Sequence, residues 1–256
     1  MCEDDVHSAN RHLLAKNSPA EDDIEQTFVE EFVQVLRDWH DDVLSALSDD
    51  QLPLAADQAL RRALGRILDE HRDAIRATFT TLYEDGAAAG RATTAQRYDL
   101  DVSNELSESL IRELQDLATE AADETGERMT DDIAAALQDA WADDIGIPEM
   151  ERILREEVFP DMEGYEAERA ARTNGTTAAG RGQLSSLRDS GAVGKEWLAE
   201  DGPRTRDSHD EADGQIVPIG SDFDVGGESA RFPGDPRLSM EERANCRCGM
   251  APAWTL

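Results

Sequence analysis

The sequence predicts a mainly α protein with a small α+β C-terminal module, its N-terminal part forming a long helical hairpin or bundle. Two observations carry this. From residue 19 to about 145, apolar residues recur at three- and four-residue steps, the spacing of a single helix face. From Gly191 onward, Gly and Pro become frequent and short apolar runs replace the stripes, which signals strands and turns. The expected organisation is a helical domain over 1–145, connecting helices over 146–190 and a small α+β module over 191–256. A chain of 256 residues can bury a real core in one large domain or two smaller ones.

The first helix is signalled by Ser18-Pro19-Ala20-Glu21: a Ser N-cap, a Pro at the first helical position, and a Glu placed to reach back to the cap. Ile24, Phe28, Phe32, Leu36, Trp39, Val43 and Leu47 then form one stripe. A second stripe follows Pro53 through Leu60, Leu64, Ile67, Ile75, Phe79 and Leu82, with the chain expected to loosen at Gly86 and Gly90. The third starts near Ser103 and carries Leu106, Leu110, Leu114, Leu117, Ala121, Met129, Ile133, Leu137 and Trp141, until Gly146 and Pro148 break it. Long helices with short connections pack antiparallel, and the stripes read as core. Beyond 148, shorter helices are expected, interrupted at Pro160 and at Asn174-Gly175. In the C-terminal part, Lys195 to Ala199 and Gln215 to Ile219 read as strands and Arg206 to Ala212 as a helical turn.

The formal charge is −32, from 57 acidic and 25 basic residues. Residues 165–256 hold 16 acidic and 11 basic side chains (−5) and residues 1–164 the remaining 41 and 14 (−27), so the excess is spread over the chain and is concentrated ahead of the module. Periodic large apolar residues argue for a globular fold over disorder. Lys16 and Lys195 are the only lysines, and a carboxylate-rich, lysine-poor composition suits a protein working in high salt. At 1 M salt the Debye length is about 3 Å. Net charge therefore does not exclude a nucleic-acid neighbour. The start Met1-Cys2-Glu3-Asp4-Asp5 has no basic or apolar run, and no stretch approaches the roughly 20 apolar residues of a membrane span. A soluble protein with no membrane partner is expected.

Cys2, Cys246 and Cys248 are too few and too unevenly placed for a disulfide framework. Cys246-Arg247-Cys248 sets two thiols one residue apart, and with His209 supplies three ligands suited to zinc. A fourth ligand would be Asp207, Asp210, Asp235, a water or Cys2. Reduced, partly buried cysteines are the alternative reading. Ahead of them lie Asp201-Gly202-Pro203-Arg204-Thr205-Arg206, a turn followed by arginines able to fix carboxylates or phosphates, and Asp213-Gly214, a turn before the second strand.

The ordered set Trp197, Asp201, Arg204-Thr205-Arg206, His209, Asp213-Gly214, Phe223, Pro233-Gly234-Asp235-Pro236 and Asn245-Cys246-Arg247-Cys248 resembles the Mu F-like family of phage head-morphogenesis proteins. Upstream, Ala171-Arg172-Thr173 and the small residues Thr176 to Gly180 resemble the helix preceding this region in the family, except that Asn174 stands where an acidic residue is common. The resemblance spans about residues 165–250. It implies a minor head protein of a tailed virus, present in few copies in the head interior or at the portal vertex, and in the host cytoplasm during assembly. Its implied partners are the portal and/or major capsid protein, with packaged viral DNA nearby and an oligomeric state set by the assembly. Head morphogenesis or genome delivery is the implied role, and the composition suggests a halophilic host. A non-enzymatic protein is expected. The alternative is a metal-dependent nuclease using His209 and nearby carboxylates.

Overall fold

A computed structural model describes residues 18–200 and 202–256. Helix α1 spans Pro19–Ser48, α2 Asp57–Arg97 and α3 Glu108–Ala142. The start of α1 is the reciprocal cap expected from its sequence: the Glu21 N–H donates to Ser18 Oγ at 3.3 Å and the Ser18 N–H to the Glu21 carboxylate. Ser107 caps α3, its Oγ accepting from Leu110 N at 3.3 Å, so this helix begins four residues later than Ser103. At 1.5 Å per residue α2 is about 60 Å long, more than a single small core needs. The described residues accordingly cluster into two compact units that draw on the same helices: one comprises residues 18–26, 82–115 and 171–256, the other 27–81 and 116–170. Both units are discontinuous in sequence.

In the unit built from 27–81 and 116–170 the core is the expected stripes. Phe28, Phe32, Leu36, Trp39, Val43 and Leu47 of α1, Leu60, Leu64, Ile75 and Phe79 of α2, and Met129, Ile133 and Leu137 of α3 are buried. The rings of Phe28, Phe32 and Phe79 meet with centroids 5.0–5.5 Å apart. Trp141 continues the spacing but is 49% exposed, because it falls in the last turn of α3, beside the loop Asp50–Ala56 that leaves it half uncovered. Asp123 receives Arg72 at 2.9 Å and Arg76 at 2.6 Å.

From Ile147 to Asp189 the backbone is helical without a break: α4 (Ile147–Ile153), a π-turn (Leu154–Val158), α5 (Phe159–Asp161), a second π-turn (Met162–Glu166) and α6 (Ala167–Asp189). The expected interruption at Pro160 is a pair of π-turns, which absorb the missing proline N–H without ending the helix. Asn174-Gly175 causes no interruption. Here an added Cβ on Gly175 would meet Glu25 Cγ at 3.1 Å, so the glycine serves close packing.

In the other unit, β1 (Gly194–Leu198) is the centre of a three-stranded antiparallel sheet, with β2 (Ile216–Pro218) on one side and, later in the chain, β5 (Gly249–Ala253) on the other. Trp197 pairs with Met250 and Leu198 with Gly249. Between them come α7 (Asp207–Ala212), the hairpin β3 (Phe223–Val225) to β4 (Glu228–Ala230), and the short α8 (Met240–Arg243). Gly226 and Gly227 close the hairpin at φ +59 and +84, the left-handed pair a two-residue turn requires. The core combines Trp197, Phe223, Val225, Phe232, Leu238, Cys246, Cys248 and Met250 with Leu184 and Leu187 of α6. It therefore begins upstream of residue 191. Gly86 and Gly90 do not loosen α2. An added Cβ at Gly86 would meet Ala178 Cβ at 2.9 Å, and one at Gly90 would overlap the Ala179 backbone, so both let α2 and α6 touch. Among the described residues no helix is long and apolar enough to cross a membrane.

His40 is buried, stacked on Phe159 with centroids 3.8 Å apart and planes 4° from parallel. Burial lowers its pKa from 6.5 to about 4, against the raising effect of Glu163, whose Oε1 lies 3.2 Å from Nδ1. A folded-state value below the unfolded one means that stability is intact above pH 6.5 and falls as pH drops toward 4, where the unfolded chain binds a proton that the fold refuses. Urea unfolding of wild type and His40→Phe should expose this. The phenyl ring keeps the stack, and between pH 7 and 4.5 the stability difference should move in the variant's favour by about 2–3 kcal/mol. A pH-independent difference would contradict the assignment.

Candidate metal centre

Cys246 and Cys248 are buried in the core just ahead of β5, whereas Arg247 between them is half-buried. Both thiols point into the core, and Arg247 points away, 3.1 Å from Glu25 and 3.6 Å from Asp22. Asn245 enters this segment at φ +55, a left-handed conformation that Asn tolerates better than most residues, and its N–H donates to Thr173 Oγ1 at 3.2 Å. The Thr176 hydroxyl donates to the Cys246 carbonyl, so α6 holds the segment at two points. His209 comes from the middle of α7, whose N-cap, Arg206, reaches the Ala244 carbonyl. The pieces that carry the three candidate ligands are thus tied to one another and to α6 by hydrogen bonds between side chains and main chain.

Cys248 Sγ lies 3.2 Å and Cys246 Sγ 3.8 Å from His209 Nδ1, and the three ligand atoms are all within 4.8 Å of one another. A tetrahedral zinc with ordinary Zn–S and Zn–N bonds would set each sulfur about 3.6 Å from the nitrogen, a value that the two observed separations bracket. His209 and Cys246 are 2% exposed and Cys248 is 7%. These three residues could hold a metal ion.

The electrostatics suit a cation. The Cys246 thiol is pulled well below its usual value by the Cys248 thiol and by His209, against burial. Cys248 is driven up by the neighbouring Cys246 sulfur and by burial, while the Glu200 backbone N–H and the Trp197 indole oppose that rise. Trp197 Nε1 is buried and finds no hydrogen-bond partner of good geometry, so its approach to Cys248 is oblique. Burial works against a charged His209, but Cys246 outweighs it and the net shift is upward. A metal bound there would displace the protons this cluster shares.

The remaining motif residues form the frame. Trp197 packs edge-on to His209 (5.8 Å, 84°) and to Phe223 (5.3 Å, 77°). The Thr205 hydroxyl donates to the Glu200 carbonyl, Asp213 Oδ1 accepts from Ala199 N at 2.9 Å, and Gly214 N donates to the Trp197 carbonyl at 2.9 Å. Arg204 is exposed and has no side-chain partner among the described residues. Asp201 and Cys2 lie outside the described residues. Asp235 is not a ligand. It is fully buried and receives the main-chain N–H and guanidinium of both Arg231 and Arg237, which together hold its carboxyl below the usual range despite burial. Asp207 and Asp210 are exposed and stand outside the ligand cluster.

Sequence reasoning overlooked Glu242, whose Oε2 lies 3.2 Å from His209 Nε2, and Ser208, which donates to that carboxylate at 2.7 Å. Nothing in local spacing marks Glu242, one of two adjacent acidic residues in a short polar stretch. It also passed over the Arg231–Asp235–Arg237 grouping, for which the close sequence spacing was a usable signal.

No family profile matches the chain, and no solved structure matches it. It is 35% identical over 100 residues to the uncharacterized protein YqbB of Bacillus subtilis (strain 168), a match covering 36% of this chain and 33% of that protein. The chain thus spans about a third of the length of the curated relative it matches.

Removing the fully buried Asp235 carboxylate takes the acceptor from the main-chain N–H groups of Arg231 and Arg237, at a cost of about 1–3 kcal/mol for each, while the part-exposed guanidiniums keep Glu113 and Asp222. Asp235→Ala should lower the unfolding free energy by that amount in urea titrations. A loss below about 1 kcal/mol, the level of a surface pair, would remove Asp235 from the frame.

Proposed function

We propose that this chain is a minor head protein of a tailed virus, acting in head morphogenesis or genome delivery, with a C-terminal module stabilised by zinc on His209, Cys246 and Cys248. The observation that carries the reading is the convergence of the ordered motif set on one packed module. Trp197, Thr205, Arg206, Asp213, Gly214, Asn245 and Arg247 cap, turn, pack and pair with other parts of the fold around three buried ligands. Residues arranged in this way build a rigid docking unit. The portal and/or major capsid protein are the partners on this reading, with packaged DNA nearby, and the lysine-poor acidic composition fits a halophilic host.

A nuclease is the second reading. Three described ligands leave a fourth position to be filled, and a catalytic zinc keeps such a position for water. Against it stand the burial of all three ligands and the pairing of two sulfurs at one metal, both usual in closed structural sites.

Quantitative mass spectrometry of purified virions should find the protein at low copy number relative to the major capsid protein, and its gene should lie beside portal and terminase genes. Absence from both virions and assembling heads sinks the proposal. Protein purified without added metal should carry close to one zinc, and Cys248→Ser should lose it and destabilise the module more than the long helices. Less than about a tenth of an equivalent is too little for a structural site. Incubation with DNA and RNA in the presence of zinc, magnesium or manganese should yield no cleavage. Cleavage abolished by His209→Ala would favour the nuclease instead.

A further inference from the structure

His209 presents its two ring nitrogens to different neighbours. Nδ1 faces both cysteine sulfurs, and Nε2 faces Glu242 Oε2 at 3.2 Å. A neutral imidazole carries one proton and one free lone pair, and whichever nitrogen keeps the proton cannot bind a metal. The choice between them is therefore made by what sits on the far side of the ring.

Glu242 is built into that place. Its main-chain N–H is capped by Ser239 Oγ at 3.4 Å, and the Ser239 N–H is held by Glu228 at 2.6 Å, which fixes the start of α8. Its carboxylate accepts from Ser208 Oγ at 2.7 Å, on the residue next to His209. The hairpin turn closes over it. A Cβ added to Gly226 would lie 3.0 Å from Glu242 Oε1 and 3.2 Å from Ser208 Cβ, so the carboxylate has little room to swing away. Oε2 stands off the N–H axis of His209, so the contact is an ion-pair approach at 3.2 Å and not an aligned hydrogen bond.

We infer that Glu242, held by Ser208, is the positioning residue of the metal centre: it retains the proton on His209 Nε2, leaves Nδ1 as the ligand, and sets how tightly the metal is kept. This rests on the reading of His209, Cys246 and Cys248 as a metal site. Carboxylates behind a ligating histidine act in this way by fixing ring orientation and increasing ligand basicity. Glu242 is not itself a ligand, since it lies on the opposite side of the imidazole from the sulfurs.

The test uses the full chain loaded with zinc or, anaerobically, with cobalt(II), as wild type and as Glu242→Gln, Glu242→Ala, Ser208→Ala and Cys248→Ser. Competition against a chromophoric chelator should show zinc affinity weakened about 10- to 100-fold by Glu242→Ala. Glu242→Gln should recover part of the loss, because its amide oxygen still accepts from Nε2–H, and Ser208→Ala should cost less than either. Cobalt spectra should keep their thiolate charge-transfer band in Glu242→Ala, with shifted ligand-field bands, whereas Cys248→Ser should lose intensity in the charge-transfer band. Nitrogen-15 NMR of zinc-loaded wild type should show His209 metallated at Nδ1 and protonated at Nε2. If Glu242→Ala fails to fold, the Gln and Ser208 variants and the wild-type NMR spectrum still decide the matter. Zinc affinity of the folded Glu242 variants within threefold of wild type, or metallation at Nε2, overturns the role of Glu242 and leaves the metal site standing. Wild type that takes up neither zinc nor cobalt overturns both.

Discussion

The unit that carries the candidate site depends on how closely α6 can approach its neighbours. At Gly182 an added Cβ would run into the Ala87 carbonyl of α2, and at Gly180 into the Pro233 carbonyl, with Phe232 Cδ2 3.0 Å away. Thr177 donates to the Gly234 carbonyl at 2.7 Å, and Thr176 donates to that of Cys246. Two opposite faces of α6, both made small by Thr, Ala and Gly, are thus in use: Ala178, Ala179 and Gly182 meet α2, while Thr176, Thr177 and Gly180 meet the Phe232–Gly234 turn and the Cys-containing segment. Any larger side chain there would displace main chain that has no rotamer with which to yield. The run from Thr176 to Gly180 is therefore a packing requirement that precedes the ligand cluster, because Cys246 is placed by the helix before it can be placed by a metal.

Within that frame the charged side chains are ties. Arg181 grips Glu113, Arg247 reaches Glu25, and Asp235 joins Arg231 to Arg237, which continues to Asp222 at 2.9 Å. Arginine suits this work because its planar fork meets a carboxylate at two points and remains charged when partly buried. Lys195, the one lysine among the described residues, is also inside. Its ammonium donates to the Arg231 carbonyl and lies 4.6 Å over the Phe223 ring, and burial pushes its pKa down to about 8. The described surface thus carries no lysine, and many of its arginines are held by carboxylates.

Much of this was legible in advance where the signal is local. The Ser18–Glu21 cap, the stripes of α1 to α3, both strands and the turn of helix holding His209 follow from spacing and cap chemistry over a few residues. Gly86, Gly90 and Gly175 were misread because helix propensity counts against glycine, whereas here the lost propensity is outweighed by contacts that only a missing Cβ allows. Trp141 kept the period of its helix but ran past the core. Among the site residues, His209, Cys246 and Cys248 could be grouped by ligand chemistry, and the structure brings them together. Asp235 has the right chemistry for a ligand and the wrong neighbours. Glu242 has no distinguishing sequence context, since its importance comes only from the hairpin and α7 folding against it.

The same geometry bears on the choice between a structural and a catalytic centre. Catalysis at a metal needs a ligand position open to substrate and a base able to move a proton at the bound water. Among the described residues Glu242 lies against the cluster, held by Ser208 and close to His209 Nε2, on the far side of the imidazole from the sulfurs. The buried Trp197 indole covers Cys248, and Phe223 backs Trp197. What surrounds the three ligands is therefore aromatic packing on one side and an orienting carboxylate on the other. Both features would hold metal ligands still, which is what the proposed zinc asks of its surroundings.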